Sequence, residues 1–285
     1  MPLPQRDQSI FRLWDHPWKA AAMSSDADEH HPNCKICGAA TSYVGALDAN
    51  KCCQDRLGSR MLPVSGAMVP YFACNNCGFI FTNIMDKWTC DEFKARIYNQ
   101  AYENINAPIP GRTGVPLKET PSYIKGSYIA SNLTGSQGDI RIVDFGSGGD
   151  PGPTGQALID AGFKVDSYEP YRANCAGPVG KYEVIIAIEV FEHCHDINSV
   201  KEFLKKHLSR DGIVWVQTLV HPHPTPQDIL NSWYIAPRDG HISIHTLWSL
   251  TLMFNSIGMN FVQTARGSFA FRRLPTFPNQ LFVNG

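Results

Sequence analysis

The chain has 285 residues, 43% of them hydrophobic, which is enough for one large domain and a small companion with a proper core. Its formal net charge of -1 speaks against a protein built to grip a polyanion. No apolar run approaches the roughly 20 residues that cross a bilayer. The opening "MPLPQRDQSIFRLWDHPWKAAAMSS" also lacks the continuous apolar stretch of an export signal, so the nine cysteines are expected in a reducing, cytoplasmic setting, where thiols bind metal or stay free.

Residues 1–33 read as an irregular tail ending in the polar run "SSDADEHHPN", with Met23 an alternative start. Residues 34–90 form a small module. "CKICG" (34–38) and "CNNCG" (74–78) are two copies of Cys-x-x-Cys-Gly, with 36 residues between Cys37 and Cys74. Each pair fits a tight knuckle whose backbone N–H groups point at sulfur, and the glycine relieves the turn. Two knuckles supply four thiolates, the donor set of a closed, structural zinc site, and metal of this kind folds a module too small to stabilise itself. The expected ligands are Cys34, Cys37, Cys74 and Cys77; two disulfides or free thiols are the competing readings. Cys52 and Cys53 are adjacent, cannot form a knuckle, and are not expected to bind the metal. Cys90, Cys175 and Cys194 are most simply free thiols.

Residues 91–139 read as a helical linker or cap. "CDEFKARIYNQAYENI" has helical spacing at Phe93, Ile97 and Ala101, and "SYIKGSYIASNLT" predicts a second helix. Tyr98 and Tyr102 on the first either cover a ligand or pack internally.

From residue 140 to 285 apolar strands alternate with helical patterns. "IRIVDF" predicts a buried parallel strand, followed by the loop "GSGGDPGP", a helix over "TGQALIDAG" with Pro153 in its first turn, and a second strand, "FKVDSYEP", ending in Glu169. Strand, glycine turn, helix and strand with a terminal acid make half of a Rossmann-like sheet. The glycines let a ligand approach the backbone, and the acid accepts from ribose hydroxyls. A dinucleotide fingerprint would need a third glycine at 151, which is proline. The pattern D-x-G-x-G-x-G used for S-adenosylmethionine (SAM) is matched by Asp144, Gly146 and Gly148, with Asp150 in the last glycine position.

"KYEVIIAIEVFEHCHD" predicts a third strand, 184–188, ending in Glu189, Val190, Phe191, Glu192 and His193. "NSVKEFLKKHLSRDG" is an amphipathic helix with Val200, Phe203, Leu204 and Leu208 on one stripe and a solvated basic face. "GIVWVQTLV" is another buried strand, "HTLWSLTLMFNSIG" a helix, and "NFVQTA" with "SFAFRRL" or "NQLFV" the closing strands.

The order of "VDFGSGG", "SYEP", "IIAIEVFEH", "LKKHLSRDGIVWV" and "GHISIHTLWSLTLMFNSIGM" resembles a class I SAM-dependent methyltransferase. With the two CxxCG pairs ahead of it, the chain resembles bacterial methyltransferases that carry an N-terminal zinc module and act in deoxysugar and surface-polysaccharide pathways, sugar C-methyltransferases among them. The resemblance implies an α/β fold with a mostly parallel Rossmann-like sheet and SAM as cofactor. It implies cofactor contacts from Asp144, Gly146, Ser147, Gly148, Glu169, Pro170, Glu189 and Val190. It also implies a small sugar-like or nucleotide-sugar acceptor from a surface-polysaccharide or secondary-metabolite pathway.

Only residues 170–181 separate Glu169 from the next strand, too few for the usual helix and edge strand, so the sheet is expected to lack that strand and the loop that normally meets adenine. An acceptor hydroxyl or enolisable carbon needs a base. His193 with Glu192 is the first candidate, and its structural alternative is a helix cap or core packing. His241 in "GHISIHT" is second, on the substrate wall. His221 and His223 follow another strand end, but the prolines of "VHPHP" break helical ligand spacing, which speaks against a metal site from these histidines. Trp233 and Tyr234 either stack on a sugar or close the core. An RNA methyltransferase is disfavoured, because residues 34–80 hold only Lys35, Lys51, Arg56 and Arg60 to meet phosphates. A non-catalytic binding protein that has lost transfer is the other alternative.

Overall fold

The computed structural model describes residues 31–106, 115–133, 140–171, 177–221 and 226–273. Met23, Cys175, His223 and the candidate strand "NQLFV" lie outside these. In chain order the strands are β1 (Thr41–Asp48), β2 (Met68–Cys74), β3 (Ile80–Phe81), β4 (Arg141–Phe145), β5 (Lys164–Tyr168), β6 (Tyr182–Ile188), β7 (Leu208–Gln217), β8 (Ser243–Ile244), β9 (Asn260–Thr264) and β10 (Gly267–Phe271). The helices are α1 (Cys90–Arg96), α2 (Gln100–Asn106), α3 (Pro121–Asn132), α4 (Pro153–Asp160), α5 (Ile197–His207), α6 (Pro226–Asn231) and α7 (Leu247–Asn255).

Six strands form one sheet in the order β5-β4-β6-β7-β10-β9. β5, β4, β6 and β7 run parallel, and β10 is antiparallel to both of its neighbours. The fold is therefore the expected α/β Rossmann-like one with a mostly parallel sheet, and among the described residues no strand lies outside β5. Successive strand residues face opposite sides. Val143, Ile185 and Val214 pack on one face with Val200 and Leu204 of α5 and Phe254 of α7. Ile142, Val184 and Ile213 pack on the other with Ile129 of α3.

Two elements depart from the sequence expectation. The single helix expected over 90–105 is broken between α1 and α2. The Asn99 side chain accepts from the N–H groups of Ala101 and Tyr102, so it starts a new helix instead of continuing the old one. β7 begins at Leu208, four residues before the expected strand, because Leu208 already pairs with Tyr182 ahead of a register shift.

The N-terminal segment builds a second sheet in the order β1-β2-β3-β8. Its last strand comes from far along the chain: Ile80 pairs with Ile244 and Phe81 with Ser243. Cys34, Cys74, Cys77 and Phe79 share one apolar cluster with Val143 and Phe254 of the larger sheet's core.

Candidate active site

β4 delivers its last residues to a turn that needs glycine at two positions for different reasons. Gly146 and Gly148 both have positive φ, +75° and +62°. A Cβ on Gly146 would stand 2.5 Å from Val190 Cγ2, so the turn packs directly on the exit of β6. A Cβ on Gly148 would meet nothing within 4 Å: that position fronts open space. The Gly148 N–H donates to Glu169 Oε2 at 3.2 Å, and the Tyr171 N–H donates to Glu169 Oε1 at 3.1 Å, which fixes the carboxylate at the mouth of the loop. Ser147 turns inward and its hydroxyl donates to the Gly149 carbonyl. Asp144 is buried, with Oδ2 lacking a hydrogen-bond partner. Burial pushes its carboxyl up to about 7, opposed by the Gly155 N–H. Asp144 thus braces the start of α4 behind the loop.

In front of the loop lies a cavity of about 980 Å³. Gly146, Gly148, Glu169, Pro170, Glu189, Val190 and His193 all line it, so seven of the residues singled out from sequence share one space. Asp144, Ser147, Glu192 and His241 are not among its lining residues. Tyr98 and Tyr102 line it too, with Trp88, Glu103 and Tyr171, whereas His221, Trp233 and Tyr234 do not. Trp233 is capped by the Arg56 guanidinium, 4.2 Å from its ring centre, and Tyr234 is buried.

Sequence reasoning missed one wall. Asp196, Ser199, Val200 and Phe203 of the α5 end line the cavity beyond Glu169. Phe203 stacks on Phe145 and Tyr168, with ring centroids 4.5 and 5.2 Å away. The helical stripe marked these apolar residues as core; only the shortness of residues 170–181 hinted that α5 must cover what an edge strand would otherwise cover.

The exit of β6 carries the polar cluster. Glu189 has φ +53°, unusual for a side chain with a Cβ. Burial, and then the neighbouring Glu192 charge, push its carboxyl up to about 7, and Lys125 opposes this from 3.4 Å. Glu192 is wholly buried; the Thr218 hydroxyl donates to Oε2 at 2.8 Å, while Oε1 has no partner. His193 Nδ1 lies 3.2 Å from the Tyr98 hydroxyl, its ring is edge-on to His241 with centroids 4.7 Å apart, and burial lowers its pKa. His241 Nδ1 donates to the Tyr234 carbonyl at 2.8 Å, which leaves the lone pair on Nε2, and burial followed by the charge of His193 holds it well below the ordinary imidazole range. From behind, the Tyr71 hydroxyl donates to the His241 carbonyl at 3.1 Å, and the Cys53 sulfur lies 3.6 Å from Nδ1. The small sheet therefore buttresses the segment that carries His241.

The four cysteines of the two knuckles come together. Sulfur separations are 3.7 Å for Cys34–Cys77, 3.5 Å for Cys37–Cys74 and 3.7 Å for Cys37–Cys77. Four thiolates about 2.3 Å from one zinc stand about 3.8 Å apart, so the donor set fits a tetrahedral ion. The Ile36 N–H points at Cys34 sulfur and the Asn76 and Cys77 N–H groups at Cys74 sulfur, and Gly38 and Gly78 take positive φ where each knuckle closes. Cys52 and Cys53 lie elsewhere, against Asp55 and Asp239.

A family model described as a methyltransferase domain matches residues 120–264, just over half of the chain. The chain belongs to this methyltransferase family. Among solved structures, this methyltransferase is similar to the mitomycin 7-O-methyltransferase MmcR at 11% identity and a TM-score of 0.42, over 64% of this chain and 59% of that one. It is similar to CalO1, a methyltransferase of calicheamicin biosynthesis in its SAH-bound form, at 16% identity and 0.40, over 67% and 69%. It is also similar to the pyocyanin biosynthetic protein PhzM at 14% and 0.41, over 63% and 62%. The chain thus spans about 59% of the length of the first of these. No curated protein matches it.

Proposed function

We propose that this methyltransferase uses SAM to methylate a small, sugar-like acceptor of a surface-polysaccharide or secondary-metabolite pathway in the cytoplasm. The observation that carries the reading is the single cavity in which the glycine turn, Glu169, the exit of β6 and His193 meet. Its volume lies at the upper end of the roughly 300–1,000 Å³ usual for small-molecule sites, room for donor and acceptor together.

SAM, when bound, supplies an electrophilic methyl group on a sulfonium. Glu169 accepts hydrogen bonds from the ribose hydroxyls, and Gly148 lets the backbone approach because no side chain fills the space before it. Val200, Phe203 and Tyr168 offer the adenine an apolar surface that the shortened 170–181 segment does not supply. His193, the member of the Glu192–His193–His241 cluster that lines the cavity, takes the acceptor proton at Nε2 while Tyr98 holds Nδ1. The aromatic rings of Trp88, Tyr98 and Tyr102 at that end suit the apolar face of a sugar.

Cys34, Cys37, Cys74 and Cys77 hold a structural zinc ion that organises residues 34–90, and residues 91–139 cap the catalytic domain of residues 140–285. Isothermal titration with S-adenosylhomocysteine tests the core of this reading. Wild-type protein should bind about one equivalent, and Glu169→Ala should weaken binding at least ~10-fold, since two ribose hydrogen bonds to a charged group are lost. Binding of NAD in place of S-adenosylhomocysteine overturns it.

A further inference from the structure

Methyl transfer alone leaves Glu192 unexplained. Its carboxyl group is fully enclosed beside the Tyr234 hydroxyl and the Glu189 carboxyl, one oxygen takes the Thr218 hydroxyl, and the other, Oε1, has no hydrogen-bond partner. A buried carboxylate oxygen without a partner is strongly disfavoured unless a cation or a proton reaches it. Lys125 is engaged with Glu189 instead.

What does converge on Glu192 is a pair of imidazoles. One donor atom each from Glu192, His193 and His241 lie within 4.8 Å of one another. Each ring is braced from outside. His241 donates its Nδ1 proton to the Tyr234 carbonyl at 2.8 Å, so Nε2 keeps its lone pair. His193 has the Tyr98 hydroxyl 3.2 Å from Nδ1. Histidines with an outer partner on one ring nitrogen, grouped beside a carboxylate, are what a metal site is built from. The ligands come from the β6 exit and the start of the β8 segment, so the prolines of "VHPHP" have no bearing on them.

We propose that Glu192, His193 and His241 hold a divalent transition-metal ion, distinct from the four-cysteine site. Two imidazoles and one carboxylate suit the first-row ions from iron to zinc, whereas four thiolates suit zinc. Donors around such an ion stand about 3–3.5 Å apart, so the side chains draw inward on binding. Three protein ligands leave further coordination positions, and His193 places the site at the cavity wall. The inference rests on the reading above that this cluster faces the acceptor. It changes one role: His193 becomes a ligand, and the ion, as a Lewis acid, would make an acceptor hydroxyl acidic, its proton passing to water in the cavity as the oxygen takes the methyl group.

The test titrates Co²⁺ into protein whose four-cysteine site already holds zinc, following the visible spectrum. The expected result is about one added equivalent, with weak d–d bands and no thiolate-to-metal charge-transfer band. Glu192→Gln and His241→Gln should each weaken it at least ~10-fold, the scale that loss even of an outer partner reaches. Should either variant fail to fold, paramagnetic shifts of the His193 and His241 ring protons in Co²⁺-loaded wild type serve instead. Absence of saturable Co²⁺ binding, binding that survives both substitutions, or shifts confined to other histidines overturns the proposal. S-adenosylhomocysteine titration of the same samples separates the outcomes, because its loss would sink the methyl-transfer reading while Co²⁺ binding is scored independently.

Discussion

The two loop glycines separate backbone strain from steric overlap, and a pair of alanine substitutions tests each. Gly148→Ala places a Cβ at φ +62° in open space, so its cost to the fold is the left-handed conformation alone, about 1–2 kcal/mol. Gly146→Ala carries the same strain and adds a Cβ 2.5 Å from Val190 Cγ2 and 3.0 Å from Cγ1. Relieving that overlap in a packed interior adds roughly 1–3 kcal/mol, for about 2–5 kcal/mol in total. Urea denaturation of each variant measures the difference. Trimming the obstacle isolates the overlap: Gly146→Ala with Val190→Ala should cost about 1–3 kcal/mol less than the sum of the two single changes. Binding should sort the other way. Gly148→Ala, the milder change for the fold, fills the open space where the proposed cofactor would lie and should weaken S-adenosylhomocysteine binding at least ~10-fold in calorimetry, a loss of about 1.4 kcal/mol. Additive effects in the 146/190 cycle, together with wild-type affinity in Gly148→Ala, would refute both the packing and the placement of the ligand.

Elemental analysis of purified protein should find about one zinc per chain bound by thiolates; Cys34→Ser should lose it and Cys52→Ser/Cys53→Ser should keep it. Asp144 gives a pH signature. Its folded pKa of about 7 lies above the unfolded value near 3.8, so the buried carboxyl costs nothing below about pH 4, and its cost grows until about pH 7. Asp144→Asn should therefore gain stability relative to wild type across that window, by at most about 4 kcal/mol; a pH-independent difference in denaturation midpoints would show that Asp144 is ionised at no cost. His193→Ala should leave S-adenosylhomocysteine affinity within a few fold and lower methyl transfer to the acceptor by roughly 10²–10⁴. His241→Ala should also act on turnover more than on acceptor KM, because its ring backs His193 and does not line the cavity; a pure rise in KM would return His241 to the substrate wall where sequence reading had put it.

The larger sheet was legible because each parallel strand is a short apolar run bounded by turn residues, and because Asp144, Gly146, Gly148 and Glu169 punctuate the ends of β4 and β5. The two Cys-x-x-Cys-Gly repeats were legible for the same reason: their spacing is dictated by a local turn. What stayed hidden is non-local. Nothing in "HISIH" says that Ser243 and Ile244 pair with Phe81 and Ile80, since a two-residue strand has no period to read. The break at Asn99 was masked by apolar spacing that continues through it, and the cavity-lining role of Phe203 by a stripe equally suited to a core. The partners behind His241, Tyr71 and Cys53, lie 170 and 188 residues away in sequence.

The pairing of β3 with β8 also bears on the order in which a ribosome can complete the fold. Residues 34–78 can close their two knuckles soon after they emerge, but the outer edge of β3 has no native partner until residue 244 has been made. Over that interval a hydrogen-bonding edge stands open, of the kind that recruits strands from other chains. The Thr246 hydroxyl, which reaches back to the Cys77 carbonyl at 2.6 Å, arrives later still. Closing contacts of such long sequence separation folds slowly. A fragment ending near residue 90 would keep the knuckles and the open edge together, and it is this truncated species, more than the finished chain, that should self-associate.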